Sequence, residues 1–460
     1  MSNKPIGFKL ENIALFSRQR GEAELWLDDS GVLTWADFGS AVEAARAQCL
    51  AQGVRAGDIV VVPGEAKLDS LAWLFGAAEV GAVVAPLRLQ REKEIQTWQQ
   101  HVVIGWRVQE GQIIKAGEGT ASTEAAGLLE LLRAANHPGL ILATGGTTGT
   151  AKLVLHDFAT LLGNIPIKQG RAWRTLPLMR FDHIGGLDIA WRALAGAQVL
   201  VAPPAELTPE AVAATVVRHR VEVLPATPSF LNLLLMSDAH RTHDLSSLRV
   251  VPYGAEPMPT GLLQRLRVAM PQVNFVQRFG TSETGALPVS DSGAGLILVT
   301  KSAGFEWKII DDELWVHSPA RGLGYLAGGD TERFTSTGWF RTGDLAEQFP
   351  DGSVKIHGRR AELINVGGEK VLPSAVESVL LSHPLIADCR VMPLPNAVLG
   401  QVVAAEIVWR GEERDPVTVK RLVHEFAVSL LPKCHLPAVV RLVAAIETTR
   451  NLKKNRSTNS

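Results

Sequence analysis

The sequence has few cysteines and almost no net charge. Its three cysteines, Cys49, Cys389 and Cys434, are far apart and form no C-x-x-C pair. This spacing supports neither a disulfide framework nor a zinc knuckle, and it favours a reducing compartment. The chain has 46 basic and 47 acidic side chains, so its formal charge is −1 with histidine neutral. Such a balance argues against binding of nucleic acid or another polyanion through bulk charge.

The sequence also has no long hydrophobic run. Residues 1–30 carry charged side chains throughout, which leaves no apolar segment for a signal peptide. The most apolar stretch elsewhere, Leu71–Leu87, contains Glu79 and is too short to span a membrane. Internal repeats and low-complexity tracts are absent from the sequence. We therefore expect a cytoplasmic protein without a membrane span.

The composition is that of a folded protein, with 46% hydrophobic and 20% charged residues. Single cores stop growing at roughly 250 to 300 residues, so a chain of 460 residues predicts at least two domains.

Strand and helix patterns alternate along the first half of the chain. Leu33–Ala51 predicts a short strand followed by an amphipathic helix. Apolar residues recur at helical spacing in the helical part. Further strands are predicted at residues 57–64, 82–86, 140–143, 197–202 and 221–226, with helices between them. This βαβ rhythm is typical of a doubly wound α/β fold.

The pattern changes after Gly285. Short runs at residues 305–310, 313–317 and 354–357, separated by turn residues, predict antiparallel strands that form a β-barrel-like part. Gly358 then marks a boundary, so we predict a large domain at 1–357 and a small α+β domain at 358–460. In the small domain we expect strands near 364–366, 389–393 and 402–409 and helices at 373–381 and 417–430.

The segment Thr144–Lys152 is rich in glycine and hydroxyl groups and directly follows a predicted strand. Such a loop can wrap phosphates, since glycines let the backbone approach and amides, hydroxyls and the ammonium group donate hydrogen bonds. It is not a Walker loop, because Ala151 precedes Lys152 and Leu153 follows it. Taken alone, the segment fits a phosphate site and an ordinary turn about equally well.

Several segments in a fixed order sharpen this interpretation. They are Thr144–Lys152, Tyr253–Pro257, Phe279–Gly285, Thr342–Asp344 and Gly358–Glu377. Together they resemble the adenylate-forming superfamily of acyl-CoA synthetases, peptide-synthetase adenylation domains and firefly luciferase. The resemblance extends to Leu33–Trp35, Gly57–Asp58 and Ala72–Leu87, and therefore covers nearly the whole chain. It implies a large adenylate-forming domain and a small mobile C-terminal domain.

The resemblance implies a nucleotide site. The β- and γ-phosphates of ATP would contact Thr144, Gly146, Thr147, Thr148, Gly149 and Lys152. Glu283 corresponds to the magnesium-binding glutamate, and a carboxylate beside phosphate oxygens suits Mg²⁺. The adenine would lie between the ring of Phe279 and the backbone of Gly254, Ala255 and Glu256, next to Gly280, Thr281 and Ser282. Asp344 matches the aspartate that accepts both ribose hydroxyls, and Arg359 the arginine that contacts ribose or phosphate.

The same resemblance places the other substrates. His183, Thr227 and Pro228 would line the acyl pocket, with His183 as a wall residue and not as an acid or base. Gly367 and Gly368 correspond to the place where pantetheine passes through the CoA tunnel. The lysine of the family's C-terminal segment matches Lys453, with Lys454 as the competing register. At the hinge, Ala361 stands where the family has a charged residue.

These residues predict an AMP-forming acid–thiol ligase that uses ATP, Mg²⁺ and CoA. The compact length resembles o-succinylbenzoate and aryl-acid ligases, so we expect an aryl or bulky hydrophobic carboxylic acid. Transfer to carrier-protein phosphopantetheine, on an acyl carrier protein, or to an amine are the alternatives. A non-catalytic nucleotide-binding partner protein and a P-loop NTPase are hypotheses of other classes. We expect no nucleic-acid partner, and either a monomer or a homodimer.

Overall fold

A computed structural model describes residues 6–88, 92–117, 119, 122–144, 152–168, 170–291, 297–299, 304–412, 415–449 and 452–455. The α-helices are α1 Glu11–Arg20, α2 Trp35–Gln52, α3 Leu68–Glu79, α4 Glu92–Gln99, α5 Thr123–Ala135, α6 Phe158–Gly163, α7 Ile184–Ala195, α8 Pro209–His219, α9 Pro228–Met236, α10 Ala239–Thr242, α11 Thr260–Ala269, α12 Pro373–Leu380 and α13 Pro416–Ala427. Short 3₁₀ helices lie at Thr331–Arg333, Arg360–Glu362 and Lys433–His435.

The strands as far as residue 299 are β1 Glu24–Asp28, β2 Gly31–Thr34, β3 Ile59–Pro63, β4 Val83–Leu87, β5 Ile104–Gln109, β6 Gln112–Lys115, β7 Gly139–Thr144, β8 Lys152–Asp157, β9 Arg174–Thr175, β10 Val199–Val201, β11 Val250–Tyr253, β12 Asn274–Gln277, β13 Gly280–Thr281, β14 Gly285–Ala286, β15 Val289–Asp291 and β16 Ile297–Val299. The later strands are β17 Glu306–Ile310, β18 Glu313–His317, β19 Gly324–Ala327, β20 Phe340–Gln348, β21 Val354–Arg359, β22 Ile364–Val366, β23 Glu369–Val371, β24 Ile386–Asn396, β25 Gly400–Trp409 and β26 Val439–Leu442.

Local sequence signals define several of these helices. Thr34 and Asp37 form a capping box at the start of α2, since each side chain accepts a hydrogen bond from the other's backbone amide. The helix ends at Gly53, whose φ of 85° is left-handed and suits glycine. The hydroxyls of Thr208 and Thr227 cap α8 and α9 by accepting hydrogen bonds from the backbone amides of Ala211 and Phe230, and each threonine is followed by a proline at the first helical position.

A seven-stranded sheet in the order β19-β8-β7-β4-β3-β5-β6 forms the first layer. Its central strands β5, β3, β4 and β7 are parallel, whereas β6, β8 and β19 pair antiparallel at the edges. The central strands β3 and β4 are buried along their whole length, which explains their unbroken apolar sequence. The predicted doubly wound α/β body is confirmed.

A second sheet contains β2-β1-β10-β9 and continues towards the parallel pair β11-β12. The strand predicted at residues 221–226 is wrong as a continuous strand, because this segment forms only isolated bridges at Val223 and Ala226. Pro225 lies between them and has no backbone N–H to donate to a ladder. The bridges of Val223 to Thr175 and Val250 nevertheless link the two parts of this sheet.

The strands of the expected barrel-like part form a six-stranded sheet in the order β15-β16-β21-β20-β18-β17. All five of its strand pairs are antiparallel. The last strand, β21, ends at Arg359, and Ile364 is the first residue of a separate apolar core built on β22-β25-β24 and α12 and α13. The helices and strands predicted after residue 360 are present with ends shifted by a few residues.

The apolar residues divide among several cores. The seven-stranded sheet packs with α1, α2, α3, α6 and α7 in one cluster, while α8, α9 and α11 pack on the second sheet in another. Among the described residues, no helix combines the length and the apolar character that a membrane crossing needs.

Candidate functional site

A cavity of about 980 Å³ opens where strand ends of the two domains face each other. It brings together most of the nucleotide-site residues predicted from the sequence that the structure describes. Its walls include Thr144, Lys152, His183, Ala255, Gly280, Thr281, Ser282, Glu283, Arg359 and Lys453.

The Gly/Thr loop joins two neighbouring strands at the edge of this cavity. Thr144 ends β7 and Lys152 begins β8, and the two residues are directly opposite in the antiparallel pair. Both line the cavity, so the loop between them starts and ends at its wall. Gly146, Thr147, Thr148 and Gly149 lie outside the described residues, and their phosphate contacts stay a prediction.

A tight turn presents Glu283 to the cavity. The hydroxyl of Thr281 accepts hydrogen bonds from the backbone amides of Glu283 and Thr284, both at 3.2 Å. The ring Nε2 of His156 lies 2.7 Å from the carbonyl oxygen of Ser282, which fixes the outer side of the turn. The turn is therefore held by side chains from its own sequence and from β8.

Glu283 is only 7% exposed, and its Oε1 accepts a hydrogen bond of 2.8 Å from the hydroxyl of Tyr325. Burial alone would raise the pKa of this carboxyl group, but the Tyr325 hydroxyl and the charge of Arg333 lower it overall. Glu283 is therefore ionised at neutral pH. Burial and the neighbouring Glu283 raise the pKa of Tyr325, which keeps its hydroxyl protonated as a donor.

Asp344 and Arg359 form an ion pair beneath the cavity wall. They are cross-strand neighbours on β20 and β21, and Arg359 Nε lies 2.7 Å from Asp344 Oδ1. The other carboxylate oxygen, Oδ2, is buried and has no hydrogen-bond partner among the described residues. Burial raises the pKa of Asp344 to about 6, although Arg359 and Arg333 act in the opposite direction. Arg359 itself lines the cavity, whereas Asp344 is not among its lining residues.

The adjacent residues Lys453 and Lys454 lie in different surroundings. Lys453 lines the cavity with Thr449 and has no ion pair with a described residue. Burial lowers its pKa, although the charge of Glu256 acts in the opposite direction and that of Arg359 in the same one. Lys454 instead binds Asp388 at 2.8 Å and donates to the carbonyl oxygen of Cys389. Lys453 lines the cavity and Lys454 does not, and the choice of Lys453 as the lysine of the C-terminal segment stays a prediction.

A smaller cavity of about 100 Å³ adjoins the large one. His183, Ile184, Ala255 and Gly280 line both cavities, so the two are adjacent. The small cavity is also lined by Gly254 and Phe279, and its apolar walls include Met179, Ile189, Pro225, Ala226 and Tyr253. Gly254, Ala255 and Phe279 thus lie together at the wall of the small cavity, and the adenine contact expected of them stays a prediction.

His183 stands at the junction of the two cavities. Its Nδ1 accepts a hydrogen bond of 3.0 Å from the amide of Gly185, and this contact caps α7. Burial lowers the pKa of His183 to about 3, and the charge of Lys453 adds to the effect. The imidazole is therefore neutral and serves as a wall and helix cap.

Glu256, Thr227 and Pro228 also do not line either cavity. The Glu256 carboxylate accepts from the hydroxyl of Ser229 at 2.7 Å and from the Lys454 amide at 2.7 Å, so it connects the two domains. Thr227 caps α9 and donates to the carbonyl oxygen of Leu452. Pro228 lines a separate crevice of about 20 Å³ beside Lys454. Thr227 and Pro228 do not line the two cavities, since the first turn of α9 packs against the C-terminal segment, and their acyl-pocket role stays a prediction.

Gly367 and Gly368 form the turn between β22 and β23, with φ values of 59° and 101° that favour glycine. The amide of Gly367 donates to the carbonyl oxygen of Leu399 at 3.0 Å. Neither glycine lines the two cavities, and their place in a CoA tunnel stays a prediction. Ala361 lies in the 3₁₀ helix Arg360–Glu362 and lines the large cavity.

The structure adds site residues that sequence reasoning missed. Arg333 lines the cavity and donates to the carbonyl oxygens of Arg341 and Thr342 at 2.8 and 2.6 Å. Glu313 accepts from the amide of Gly343 at 2.9 Å, and this contact holds the turn before Asp344. Tyr325 could have been noticed in the sequence, since it is one of only two tyrosines in the chain. Arg333 carries no comparable signal.

The donor set fits a magnesium nucleotide. No group of three or more potential metal ligands is present within the described ranges, so Glu283 would share an ion with phosphate oxygens. Lys152, Lys453 and Arg359 supply the positive charge that phosphates need. The partnerless Oδ2 of Asp344 is a free acceptor of the kind that ribose hydroxyls require.

Comparisons with known proteins agree with this geometry. The 4-coumarate–CoA ligase-like 2 of Arabidopsis thaliana is 29% identical over 298 residues, which cover 58% of this chain and 52% of that protein. The 2-succinylbenzoate–CoA ligase of Bacillus cytotoxicus is 28% identical over 338 residues, which cover 68% and 67%. The match therefore spans about half of the first relative and two thirds of the second.

Solved structures share the fold over almost the whole chain. The anthranilate–CoA ligase AuaEII, in complex with anthranoyl-AMP, has a TM-score of 0.81 at 19% identity and covers 98% of this chain and 96% of its own. The amide bond synthetase McbA from Marinactinospora thermotolerans has a TM-score of 0.77 at 21% identity, with coverage of 97% and 98%. The predicted adenylate-forming fold, with a large N-terminal and a small C-terminal domain, is confirmed.

Family models match both parts of the chain. The model of AMP-binding enzymes matches residues 88–326, and that of the AMP-binding enzyme C-terminal domain matches residues 375–453. Since the first match alone covers more than half of the 460 residues, this chain belongs to the AMP-binding enzyme family.

Proposed function

We propose that the protein activates a carboxylic acid with ATP and Mg²⁺, releases pyrophosphate, and transfers the acyl group from acyl-AMP to the thiol of CoA. The observation that carries this proposal is the position of Lys453. It comes from the C-terminal segment but lies in the same cavity as Lys152 and Glu283 of the large domain and Arg359 at the domain boundary. A polyphosphate and a carboxylate can meet only where such positive charges converge.

In the first step an oxygen of the substrate carboxylate attacks the α-phosphorus, and the bond to pyrophosphate breaks. Lys453 offsets the negative charge that grows around the α-phosphate, and Lys152 receives the departing phosphates. Magnesium, when bound, neutralises phosphate oxygens next to Glu283. Asp344 and Arg359 would hold the ribose, and the adenine would pack on the Phe279 ring and the Gly254–Ala255 backbone from the side of the large cavity, which leaves the small cavity to the acid.

The small cavity supports an aryl or similarly bulky acid. Its volume of about 100 Å³ is of the order of the roughly 150 Å³ apolar cavity that admits one benzene ring. The neutral His183 forms the wall between this cavity and Lys453. An aromatic ring in the small cavity would thus direct its carboxylate towards Lys453.

In the second step the thiol sulfur of CoA attacks the acyl carbon, and AMP leaves. We assign the large domain to residues 1–357 and the small domain to 358–460, with rotation about Ala361 between the two steps. The pantetheine arm of CoA would then run along the turn formed by Gly367 and Gly368. Without a charged side chain at position 361, this rotation depends on other contacts between the domains.

An amine acceptor is the second candidate, supported by the fold shared with an amide bond synthetase. In that case an amine nitrogen takes the acyl group from the same acyl-AMP. Carrier-protein phosphopantetheine would take it through a thiol, as CoA does. The acceptor is identified by supplying CoA, a phosphopantetheinylated carrier and simple amines to the enzyme separately.

The first test is pyrophosphate release from ATP and Mg²⁺ over a panel of aryl and fatty acids, without CoA and then with it. We expect release with one class of acid, accelerated by CoA. Lys453→Ala should reduce it by roughly 10²- to 10³-fold, the scale of losing one electrostatic contact to a transition state. Lys420→Ala is the matched control, because Lys420 is exposed on α13 and does not line the cavity.

The outcomes separate the candidate classes. ATP binding without pyrophosphate release for any acid would support a non-catalytic nucleotide-binding partner. Release of phosphate in place of AMP and pyrophosphate would support a phosphate-cleaving NTPase. Equal activity in Lys453→Ala and Lys420→Ala would contradict the role given to Lys453.

A further inference from the structure

A further cavity, of about 510 Å³, lies away from the two that form the candidate site. It opens where three parallel strands begin, because Glu24, Arg174 and Val199 line it and are the first residues of β1, β9 and β10. Parallel bridges of Val223 connect these strands to β11 and β12, and the residues that follow β11 and β12 line the small cavity. The new cavity, here called the amino-end cavity, is therefore at the opposite end of the sheet. It shares no lining residue with the small or the large cavity.

Positive charge exceeds negative charge in the amino-end cavity. The charged residues that line it are Arg20, Lys168, Arg174 and Glu24. Glu24 lies 3.4 Å from Arg174, so one of the three cations has a carboxylate partner. Arg20 and Lys168 form no ion pair with a residue in the described ranges. Two positive charges therefore face the cavity without a counter-charge from the described part of the chain.

The guanidinium group of Arg20 is held between two aromatic rings. Its central carbon lies 4.4 Å from the centroid of the Phe16 ring and 5.5 Å from that of the Trp35 ring. These cation–π contacts fix the group without using its N–H donors. Its Nη1 is buried and has no hydrogen-bond partner among the described residues. A buried donor without an acceptor is unfavourable, and a bound anion would supply the acceptor.

Arg174 is also held in place. Its guanidinium donates to the carbonyl oxygen of His219 at 3.1 Å, and its backbone amide donates to the Glu222 carboxylate at 3.2 Å. Glu222 is bound by Arg171, and neither of these two lines the amino-end cavity. Lys168 is exposed and adds a mobile ammonium group to the two fixed guanidinium groups.

The size and the walls of the amino-end cavity indicate the class of ligand. Its volume is within the range of roughly 300 to 1,000 Å³ that is typical of small-molecule sites. Guanidinium groups bind phosphate through paired hydrogen bonds, and a phosphate monoester carries up to two negative charges near neutral pH. This charge matches the two cations that have no carboxylate partner. The remaining lining offers apolar surface, from Ala23, Trp35, Ala172, Ala197 and Val199.

We propose that the amino-end cavity is a second binding site, which takes a small molecule with a doubly charged phosphate group on an apolar body. Arg20 and Lys168 would bind the phosphate, and the Trp35 ring would pack on the body. Because the site shares no residue with the catalytic cavities, its occupancy does not depend on the proposed ligase activity.

Isothermal titration calorimetry of the full chain with phenyl phosphate, at about pH 8 where the phosphate is doubly charged, tests the site. We expect saturable binding that Arg20→Met weakens by roughly 10- to 100-fold, the range of one hydrogen bond to a charged group. Methyl phenyl phosphate, which has one negative charge fewer, should bind the wild type more weakly. Inorganic phosphate distinguishes the two sources of this chemistry: weaker binding than phenyl phosphate assigns the site to a phosphate ester, and equal binding assigns it to free phosphate.

Further variants test the charge argument. Lys168→Met should also weaken binding, and its exposed position makes a folding defect no explanation. Glu24→Gln should strengthen binding, opposite in direction to Arg20→Met, because it leaves Arg174 without its carboxylate partner. Arg18→Met is the matched control, since Arg18 is exposed on α1, loses the same charge and does not line the amino-end cavity. Thermal unfolding of each variant shows that it is folded.

Absence of saturable binding of phenyl phosphate to the wild type, or equal affinity in Arg18→Met and Arg20→Met, would overturn the proposal. Binding that persists in Arg20→Met but is lost in Lys152→Met would place the phosphate in the large cavity and would overturn it as well. Each of these results leaves the proposed ligase activity intact, since pyrophosphate release tests that activity separately.

Discussion

The ammonium group of Lys454 lies 2.8 Å from the carboxylate of Asp388, and both side chains are less than a tenth exposed. Burial alone would lower the pKa of Lys454, but Glu377 and Asp388 raise it, so the pair stays ionised. The same residue binds the large domain, because its amide donates to Glu256 at 2.7 Å. On the other side of Lys453, the carbonyl oxygen of Leu452 accepts from Thr227. Lys453 is thus held in the cavity by contacts of both its neighbours.

We expect Lys454→Met to impair adenylation although Lys454 does not line the cavity. Asp388 would remain buried without its partner, at a cost of about 3 to 5 kcal/mol, and the segment carrying Lys453 would loosen. Pyrophosphate release should fall, while transfer to CoA from chemically prepared acyl-AMP should change much less. The two half-reactions are measured separately to show this split.

The double variant Lys454→Met with Asp388→Asn provides the control. Removing both charges should recover most of the stability, since no uncompensated carboxylate is left. An equal loss in both half-reactions for Lys454→Met would show a general structural defect and contradict the positioning role.

The ionisation of Asp344 predicts a pH-dependent affinity for AMP. Its pKa in the folded protein is about 6, above the ordinary value of 3.8, because the group is buried. In the proposed role of Asp344, ribose hydroxyls would bind the ionised carboxylate, so affinity should rise as pH increases through about 6. For stability the direction is opposite: the folded state holds this proton more tightly, so the stability contributed by Asp344 falls as pH rises from about 4 to about 6.

Titration of AMP binding and thermal unfolding between about pH 5 and pH 8 measure both effects. Asp344→Asn should bind AMP weakly at every pH, and it should lose the change in affinity near pH 6. The same pH dependence in wild type and Asp344→Asn would assign the titration to another group.

Sequence reasoning predicted the parts of the fold that rest on local pattern. The βαβ rhythm gave the central strands, because a strand buried on both faces needs an unbroken apolar run, as in β3 and β4. It failed at residues 221–226, where an apolar run contains Pro225 and forms only isolated bridges. The antiparallel addition of β19 to β8 joins segments about 170 residues apart, and no local pattern encodes it.

The residues of the candidate site also fall into two groups: those that a local motif identifies and those that only the tertiary structure distinguishes. Residues in dense motifs, such as Glu283 and the ends of the Gly/Thr loop, could be named in advance and do line the cavity. The lysine register could not, because Lys453 and Lys454 differ only in what the tertiary structure places beside them. Thr227 caps α9, and the sequence could not separate this role from that of a pocket wall, because a threonine before a proline fits both.

The hydrogen bond from Tyr325 to Glu283 predicts that Tyr325→Phe weakens the use of Mg²⁺. Loss of the hydroxyl leaves the buried Oε1 of Glu283 without this donor, at a cost of about 1 to 3 kcal/mol in the free energy of unfolding. The less fixed carboxylate should require a several-fold higher Mg²⁺ concentration for half-maximal pyrophosphate release. Saturating Mg²⁺ should restore most of the rate.

Tyr253→Phe is the matched control, because Tyr253 is the other tyrosine of the chain and lines the small cavity. Its Mg²⁺ requirement should equal that of the wild type. An unchanged Mg²⁺ requirement in Tyr325→Phe would separate Tyr325 from the metal and leave it a structural role only.

The cap that His183 provides for α7 predicts separate effects on stability and on pH dependence. His183→Ala removes the acceptor for the Gly185 amide and should cost about 0.5 to 2 kcal/mol, whereas His183→Asn keeps a capping acceptor and should cost less. With a pKa of about 3, His183 stays neutral throughout the range near pH 6 to 7 in which a free histidine titrates. The pH profile of pyrophosphate release should therefore be the same in wild type and His183→Asn. A step near pH 6.5 in the wild type that disappears in His183→Asn would show instead that this imidazole gains a proton during turnover.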